Sequence, residues 1–272
     1  MDAGSTHGDL FYFQGGDADP DEESNSGGRN RTCHLRCLLR LEGKLLMQLL
    51  ILGCGKTGSQ VADVARERRH HVQTLSGASN ANARALTPEF LAPFNAVIDF
   101  TTPAAVVGNA EACIRAHKCI VIGTTGWYDH LPRLREQALA ANTSILYGSN
   151  FSIGVNLFFE IVHTAAAAMN FDYSGQIFER HHAQKKDAPS GTAMVMQKII
   201  REATQKELEI VSFREGDAVG MHELVFNSPA ERIYLCHDSK SRRGFAEGAV
   251  RGAEWIVGKS GVYDFPNIWR EL

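Results

Sequence analysis

From position 47 onward the chain alternates short apolar runs with amphipathic stretches, and that pattern predicts its elements. The run 47–52 is almost wholly apolar and suits a strand buried on both faces. The segment Gly53-Cys54-Gly55-Lys56-Thr57-Gly58 follows, after which Val61, Val64 and Ala65 recur at helical spacing as far as Arg69. Further apolar runs predict strands over 71–75, 96–100, 119–122 and 144–147, with helices over 103–117 and 129–141. Strands that alternate with helices imply a parallel sheet covered on both faces. Beyond Asn150 the pattern changes. Helices are predicted over 155–169 and 191–204, a strand over 173–180, and strand-like runs over 208–213, 219–227 and 231–237. Strands in succession predict a second, smaller α+β domain, and a final helix over 245–257 is expected to return to the first.

Composition narrows the class. The chain has 272 residues, a formal charge of −3, 44% hydrophobic and 22% charged residues, enough for one large domain or two modest ones. The near-neutral balance argues against a nucleic-acid partner held mainly by phosphate contacts. No apolar run is long enough to span a membrane as a helix. Six cysteines, at 33, 37, 54, 113, 119 and 236, are too sparse for a disulfide framework, which favours a reducing, cytoplasmic setting. Residues 1–46 differ from the rest: they carry eight acidic and five basic side chains and little apolar surface, so the body after them sums to zero charge. That segment is expected to be a disordered extension or a non-native start, with Met47 as the natural one.

The glycines at 53, 55 and 58 have a physical reading. A strand, a Gly-x-Gly-x-x-Gly loop and a helix occur in the order of a dinucleotide-binding unit, where the glycines permit a tight turn, approach of a pyrophosphate and close helix–strand packing. The helix N-terminus, with Lys56 and Thr57, offers free N–H groups to phosphate. A Walker A loop is rejected, because position 50 is Leu where it needs Gly. The fold class predicted is therefore α/β, a Rossmann-like parallel-sheet domain with a smaller α+β domain. No acidic residue lies between Arg68 and Pro88, where an NAD-specific fold places a carboxylate for the ribose 2′-hydroxyl. Either NADPH or NADH is admitted, and the missing repulsion leans the reading to NADPH.

The densest chemistry is Glu179-Arg180-His181-His182-Ala183-Gln184-Lys185-Lys186-Asp187-Ala188-Pro189-Ser190-Gly191-Thr192-Ala193. Ser-Gly-Thr at a helix start can hold a carboxylate, lysine adds positive charge, and histidine exchanges protons near neutrality. Together they fit a small carboxylated substrate. This segment resembles the signature of the dihydrodipicolinate reductase family, close to E-x-H-H-x-x-K-x-D-A-P-S-G-T-A. Supporting matches are the loop at 53–58, Asp99-Phe100-Thr101, Gly123-Thr124-Thr125-Gly126, Asn150-Phe151-Ser152-Ile153-Gly154-Val155-Asn156, Ser241-Arg242 and Phe245-Ala246.

The resemblance implies an NAD(P)H-dependent reduction of 4-hydroxy-tetrahydrodipicolinate in lysine and diaminopimelate biosynthesis. It implies His181 and Lys185 as catalytic groups and His182, Gly191 and Thr192 as ligands of the substrate carboxylates. Around the cofactor it implies Gly53, Gly55, Lys56, Thr57, Gly58, Gly123, Thr124, Thr125, Asn150, Phe151 and Arg242. No metal is implied. The domains expected are 47–149 with 243–272 for the dinucleotide, and 150–242 for substrate and oligomerisation. Partners expected are a small dicarboxylate and further copies of the chain, as a tetramer or, given a trimmed second domain, a dimer. Three other readings compete. They are a different imine or amino-acid dehydrogenase, a non-catalytic dinucleotide sensor, and a hydrolase using Ser190, His181 and Asp187, which lacks a nucleophile elbow. A zinc site from His181, His182, Cys236 and His237 lacks ligand spacing.

Overall fold

The computed structural model describes residues 40–41 and 44–272, so most of the segment expected to be disordered lies outside the described residues. In chain order the elements are β1 (Arg40–Leu41), β2 (Lys44–Leu45), β3 (Gln48–Leu52), α1 (Lys56–Glu67), β4 (His71–Leu75), α2 (Pro88–Leu91), β5 (Ala96–Asp99), α3 (Pro103–Arg115), β6 (Cys119–Ile122), α4 (Leu131–Ala140) and β7 (Ser144–Tyr147). There follow α5 (Ile153–Ala165), β8 (Ser174–His181), α6 (Gly191–Thr204), β9 (Ile210–Arg214), β10 (Met221–Asn227), β11 (Arg232–Asp238), α7 (Arg243–Ile256), β12 (Gly261–Asp264) and α8 (Phe265–Ile268).

Six strands form one parallel sheet in the order β12-β7-β6-β5-β3-β4. Its central strands are apolar at nearly every position because both faces are covered. Leu49 and Ile51 of β3 point into a core shared with α1 and α7, while Leu50 and Leu52 point into a core shared with α3 and α4. The same division separates Cys119 and Val121 from Ile120 and Ile122 in β6. All five strands predicted for this sheet are present. The sixth, β12, was not predicted: it is a four-residue edge strand that follows α7 and pairs with β7 from Gly261↔Ser144 to Asp264↔Tyr147.

The second sheet has the order β11-β10-β8-β9, antiparallel except for the β8–β9 pair. Here burial alternates, because α5 and α6 cover only one face. Ile177, Leu224 and Phe226 face those helices and pack with Phe158, Val162, Met196 and Ile200. The opposite face carries Phe213 and Tyr234, both exposed. Helix α5 begins earlier than predicted, at Ile153, because the Ser152 hydroxyl caps it by accepting from the Val155 N–H at 3.3 Å, and it ends earlier, at Ala165, where the chain tightens into a 3₁₀ turn over Ala166–Asn170.

Helix α7 is tied to the start of the parallel sheet by one half-buried carboxylate. Glu254 accepts from Arg68 Nε at 2.9 Å and Nη2 at 2.5 Å, and from His70 Nε2 at 2.8 Å. His70 Nδ1 accepts from the Met47 N–H at 3.3 Å, which leaves Nε2 as the protonated nitrogen. Burial alone would raise the Glu254 carboxyl, but the His70 and Arg68 bonds outweigh it and hold it down to about 2. A folded pKa below the unfolded value stabilises fully above about pH 4.5, and that stabilisation is lost as pH falls towards 2. After allowance for partial exposure it amounts to about 2 kcal/mol. Glu254→Gln is therefore expected to cost about that much at pH 7, and the gap to the parent should close below pH 4. Urea melts across that range test it; a gap independent of pH would count against the linkage.

Candidate functional site

Two polar regions stand out. The first is a crevice of about 450 Å³ lined by Gly55, Lys56, Thr57, Gly58, Phe100, Thr101, Pro103, Gly123, Thr124, Thr125 and Arg242. It lies past the carboxyl ends of β3, β5 and β6, where the strand order reverses between β3 and β5, the usual ligand position in an open parallel sheet. The glycines make this possible. Gly53 has φ +96°, and a Cβ there would lie 2.3 Å from the Phe100 carbonyl oxygen. A Cβ on Gly58 would lie 2.0 Å from the Gly53 carbonyl oxygen. Helix α1 therefore starts in direct contact with the loop that precedes it. Gly55 is its N-cap, with no side-chain cap and no acidic residue in the first turn, and a Cβ at Gly55 would meet nothing within 4 Å. Free N–H groups, a positive helix end and open space fit the phosphates of a dinucleotide. Lys56 and Arg242 add charge at the rim.

Eight of the eleven residues expected around a cofactor thus line one crevice: Gly55, Lys56, Thr57, Gly58, Gly123, Thr124, Thr125 and Arg242. Gly53 lies beneath it as a packing residue. Asn150 and Phe151 are not among the lining residues. Asn150 Oδ1 accepts from the Ser152 N–H at 2.9 Å, and Phe151 is buried against Phe265, ring centroids 4.5 Å apart. Phe100, Thr101 and Pro103 were not among the expected cofactor residues, although Phe100 and Thr101 belong to the Asp99-Phe100-Thr101 match; they follow β5 at the same sheet edge, and only the topology shows that β5 neighbours β3.

The second region is a polar row across the helix-facing side of the smaller sheet. Strand register places Ser212, Glu179, His222 and His237 side by side, with Arg214 beside His181 in the next row. Glu179 is fully buried. One carboxylate oxygen accepts from His181 Nδ1; the other accepts from Arg214 Nη2 at 2.6 Å and from the Ser190 N–H at 3.3 Å. Burial would raise this carboxyl, but the bonds from Arg214, Ser212 and His181 prevail and keep it below the ordinary range. Burial pushes His181 down, against the pull of Glu179, and the charges of Lys185 and Arg214 add to the effect. His181 therefore donates Nδ1–H to Glu179 and keeps Nε2 as an acceptor.

Ser190 caps α6. Its hydroxyl accepts from the Ala193 N–H at 3.2 Å and meets His222 Nε2 at 3.0 Å. Burial, then the neighbouring His181, push His222 down to about 3, so it stays neutral. Gly191 and Thr192 occupy the first turn of α6, where backbone N–H groups have no intrahelical partner. Lys185 Nζ reaches both Asp187 oxygens, at 2.7 and 2.9 Å, and Arg214 Nη2 holds the Asp187 carbonyl at 2.6 Å. His182 Nδ1 is buried without a partner.

The structure thus brings His181, His182, Lys185, Gly191 and Thr192 together at the open end of β8. The hydrolase arrangement is absent, since Ser190 bonds His222 rather than His181. The zinc arrangement fails as well: Cys236 and His237 alternate along β11, so their side chains leave opposite faces of the sheet. Glu179, His181 and His222 do converge, but Arg214 already neutralises that carboxylate. Arg214 and His222 were not foreseen. Their signal was an alternating strand pattern with a polar residue on its covered face.

Comparison with known proteins agrees with this geometry. The family models described as dihydrodipicolinate reductase, N-terminus and C-terminus, match residues 47–151 and 154–268. A 4-hydroxy-tetrahydrodipicolinate reductase of Christiangramia forsetii is 33% identical over 240 residues, covering 83% of this chain and 99% of that protein. One from Neisseria meningitidis serogroup A is 37% identical over 198 residues, covering 65% and 73%. The solved structure of dipicolinate-bound dihydrodipicolinate reductase from Paenisporosarcina sp. TG-14 has a TM-score of 0.66 at 24% identity, covering 82% of this chain and 99% of that one. The chain belongs to the dihydrodipicolinate reductase family.

Proposed function

We propose that the protein reduces 4-hydroxy-tetrahydrodipicolinate with a reduced nicotinamide dinucleotide. The observation that carries this reading is the convergence of the Glu179–His181 pair, Lys185 and the uncovered start of α6 at one sheet edge. Gly191 and Thr192 N–H groups, with the Thr192 hydroxyl and His182, bind the substrate carboxylates. Lys185 supplies the positive charge beside them. The nicotinamide, when bound, supplies the hydride. The substrate loses its 4-hydroxyl as water, hydride arrives at C4 of the resulting conjugated imine, and Lys185 stabilises the negative charge that develops and delivers a proton to the neighbouring carbon. Glu179 fixes the His181 tautomer, so that Nε2, unprotonated in the free enzyme, is the nitrogen that takes up a proton when the dianion binds.

Three further assignments go with this reading. The loop after β4 carries Ser76 and Ser79, whose hydroxyls are 2.9 Å apart, and no carboxylate, which favours NADPH over NADH. The helix-free face of the second sheet, with Phe213 and Tyr234 exposed, suits a homo-oligomer. No helix among the described residues is long and apolar enough to cross a membrane, and with sparse cysteines this favours a cytoplasmic enzyme.

A coupled assay tests the activity: 4-hydroxy-tetrahydrodipicolinate supplied by its synthase, with loss of reduced-cofactor absorbance followed. Turnover is expected, and none with either cofactor would overturn the reading. Lys185→Ala should lose most of kcat while dinucleotide binding survives; near-normal turnover would remove the lysine from the chemistry. kcat/KM should be higher with NADPH than with NADH, and the reverse order would refute the preference.

Proton linkage gives an independent check. The free enzyme holds His181 below its ordinary pKa, and a dianionic ligand beside it raises that value. Between the two values, binding takes up a proton and weakens as pH rises. Calorimetry of dipicolinate binding near pH 7, in two buffers of different ionisation enthalpy, should show uptake of up to about one proton per site. His181→Gln should abolish it, and uptake that persists in the variant would place the titrating group elsewhere.

A further inference from the structure

Asp99, at the end of β5, is fully buried beneath the crevice and has no part in the steps above. One carboxylate oxygen, Oδ1, accepts from the Thr101 N–H at 2.8 Å, the Thr101 hydroxyl at 2.6 Å and the Thr124 hydroxyl at 3.0 Å. The other, Oδ2, accepts from Asn109 Nδ2 at 2.8 Å. The direction of this network is fixed from its far end. The Ala85 N–H can only donate, and it reaches Asn80 Oδ1 at 3.2 Å. Asn80 Nδ2 therefore donates to Asn109 Oδ1 at 2.9 Å, which turns Asn109 Nδ2 towards Asp99. Burial pushes the Asp99 carboxyl pKa up, and the bonds from Thr101, Asn109 and Thr124 oppose that rise. Two of the four bonds, from the Thr101 N–H and from Asn109 Nδ2, can run only towards the carboxylate, and with four groups converging on it the geometry favours the ionised form despite burial; that form has no proton to give, so every neighbour is a donor.

The consequence lies in the two threonines. A hydroxyl has a single proton, and Thr101 and Thr124 each spend theirs on Asp99. Both residues line the crevice, and what their hydroxyls can offer to it is lone pairs alone. We propose that Asp99 is a positioning residue that makes the Thr101–Thr124 wall acceptor-only, so that it selects the amide N–H2 of a nicotinamide carboxamide. Thr124 is the residue that takes that donor, because it follows β6, which lies beyond β5 from the phosphate-binding loop after β3. Anionic or acceptor-only groups are disfavoured against the same wall. This inference rests on the dinucleotide reading of the crevice and adds to it the determinant of one polar contact.

The test compares two reduced dinucleotides by titration calorimetry on the full chain. NADH carries the carboxamide; its 3-acetylpyridine analogue keeps the carbonyl and replaces the N–H2 with a methyl group. The parent protein is expected to bind the analogue about 5- to 10-fold more weakly than NADH. Thr124→Val should weaken NADH by about the same factor and leave the analogue within about twofold, while Thr124→Ser retains the discrimination. Asp99→Asn should bring the ratio of the two dissociation constants towards one, although residue 99 touches no cofactor. Should that variant fail to fold, the Thr124 pair still decides the matter. A ratio in Thr124→Val equal to that of the parent overturns the proposal, as does a parent that binds both compounds equally well. A parent that binds neither dinucleotide overturns the reading of the crevice and this inference with it.

Discussion

The Glu179 carboxylate is the interaction on which the substrate end of the molecule depends. It gathers His181 from its own strand, Arg214 from the parallel neighbour β9 and the Ser190 N–H from the start of α6. Without it, the Arg214 guanidinium would lose its ion pair and keep only carbonyl partners, and the histidine would have no fixed tautomer. Its burial is costly by itself, and these donors, with Ser212, offset that cost. The same contacts set the distance between the sheet and the helix terminus that is to hold an anion. Fold and chemistry therefore share one group.

A parallel logic operates at the other end. Asp99 and Glu179 are both fully buried carboxylates at the carboxyl ends of strands, and each acts as a sink for donors. A sink of this kind dictates where the protons of its neighbours point. Hydroxyls and imidazoles, which could otherwise turn either way, are held in one sense before any ligand arrives. That is preorganisation achieved through hydrogen-bond direction rather than through tight packing.

Much of this was legible in the sequence, for reasons that differ between the two sheets. Strands β3, β5 and β6 are nearly continuous apolar runs because helices cover both faces, and the Gly53–Gly58 segment marks where the first helix must start. The smaller sheet is covered on one face, and its alternation revealed the strands but not their order. Pairing of β8 with β10 and β9 is long-range information, so the company that Glu179 keeps could not be read from spacing. Arg214 and His222 passed as ordinary polar positions for that reason. Phe151 carries a second kind of hidden information: the motif around it drew attention to ligand contact, and that its ring packs against Phe265 is again a long-range contact that spacing does not reveal. Strand β12 escaped notice because four residues at a sheet edge carry little pattern of their own.

That last strand has a consequence for how the chain acquires its structure. Gly261 pairs with Ser144, and α7 supplies Ala246, Ala249, Val250 and Ala253 to the core beneath β3 and β5. One face of the parallel sheet is thus covered only by α1 until α7 has been made. On the ribosome the first half emerges with its glycine loop, five strands and helices α1, α3 and α4 complete in sequence but without the share of the core that α7 provides. The intervening smaller sheet can consolidate meanwhile, since its contacts fall within its own stretch of chain. Assembly of this protein is therefore vectorial only in part: the portion synthesised first is the portion that must wait.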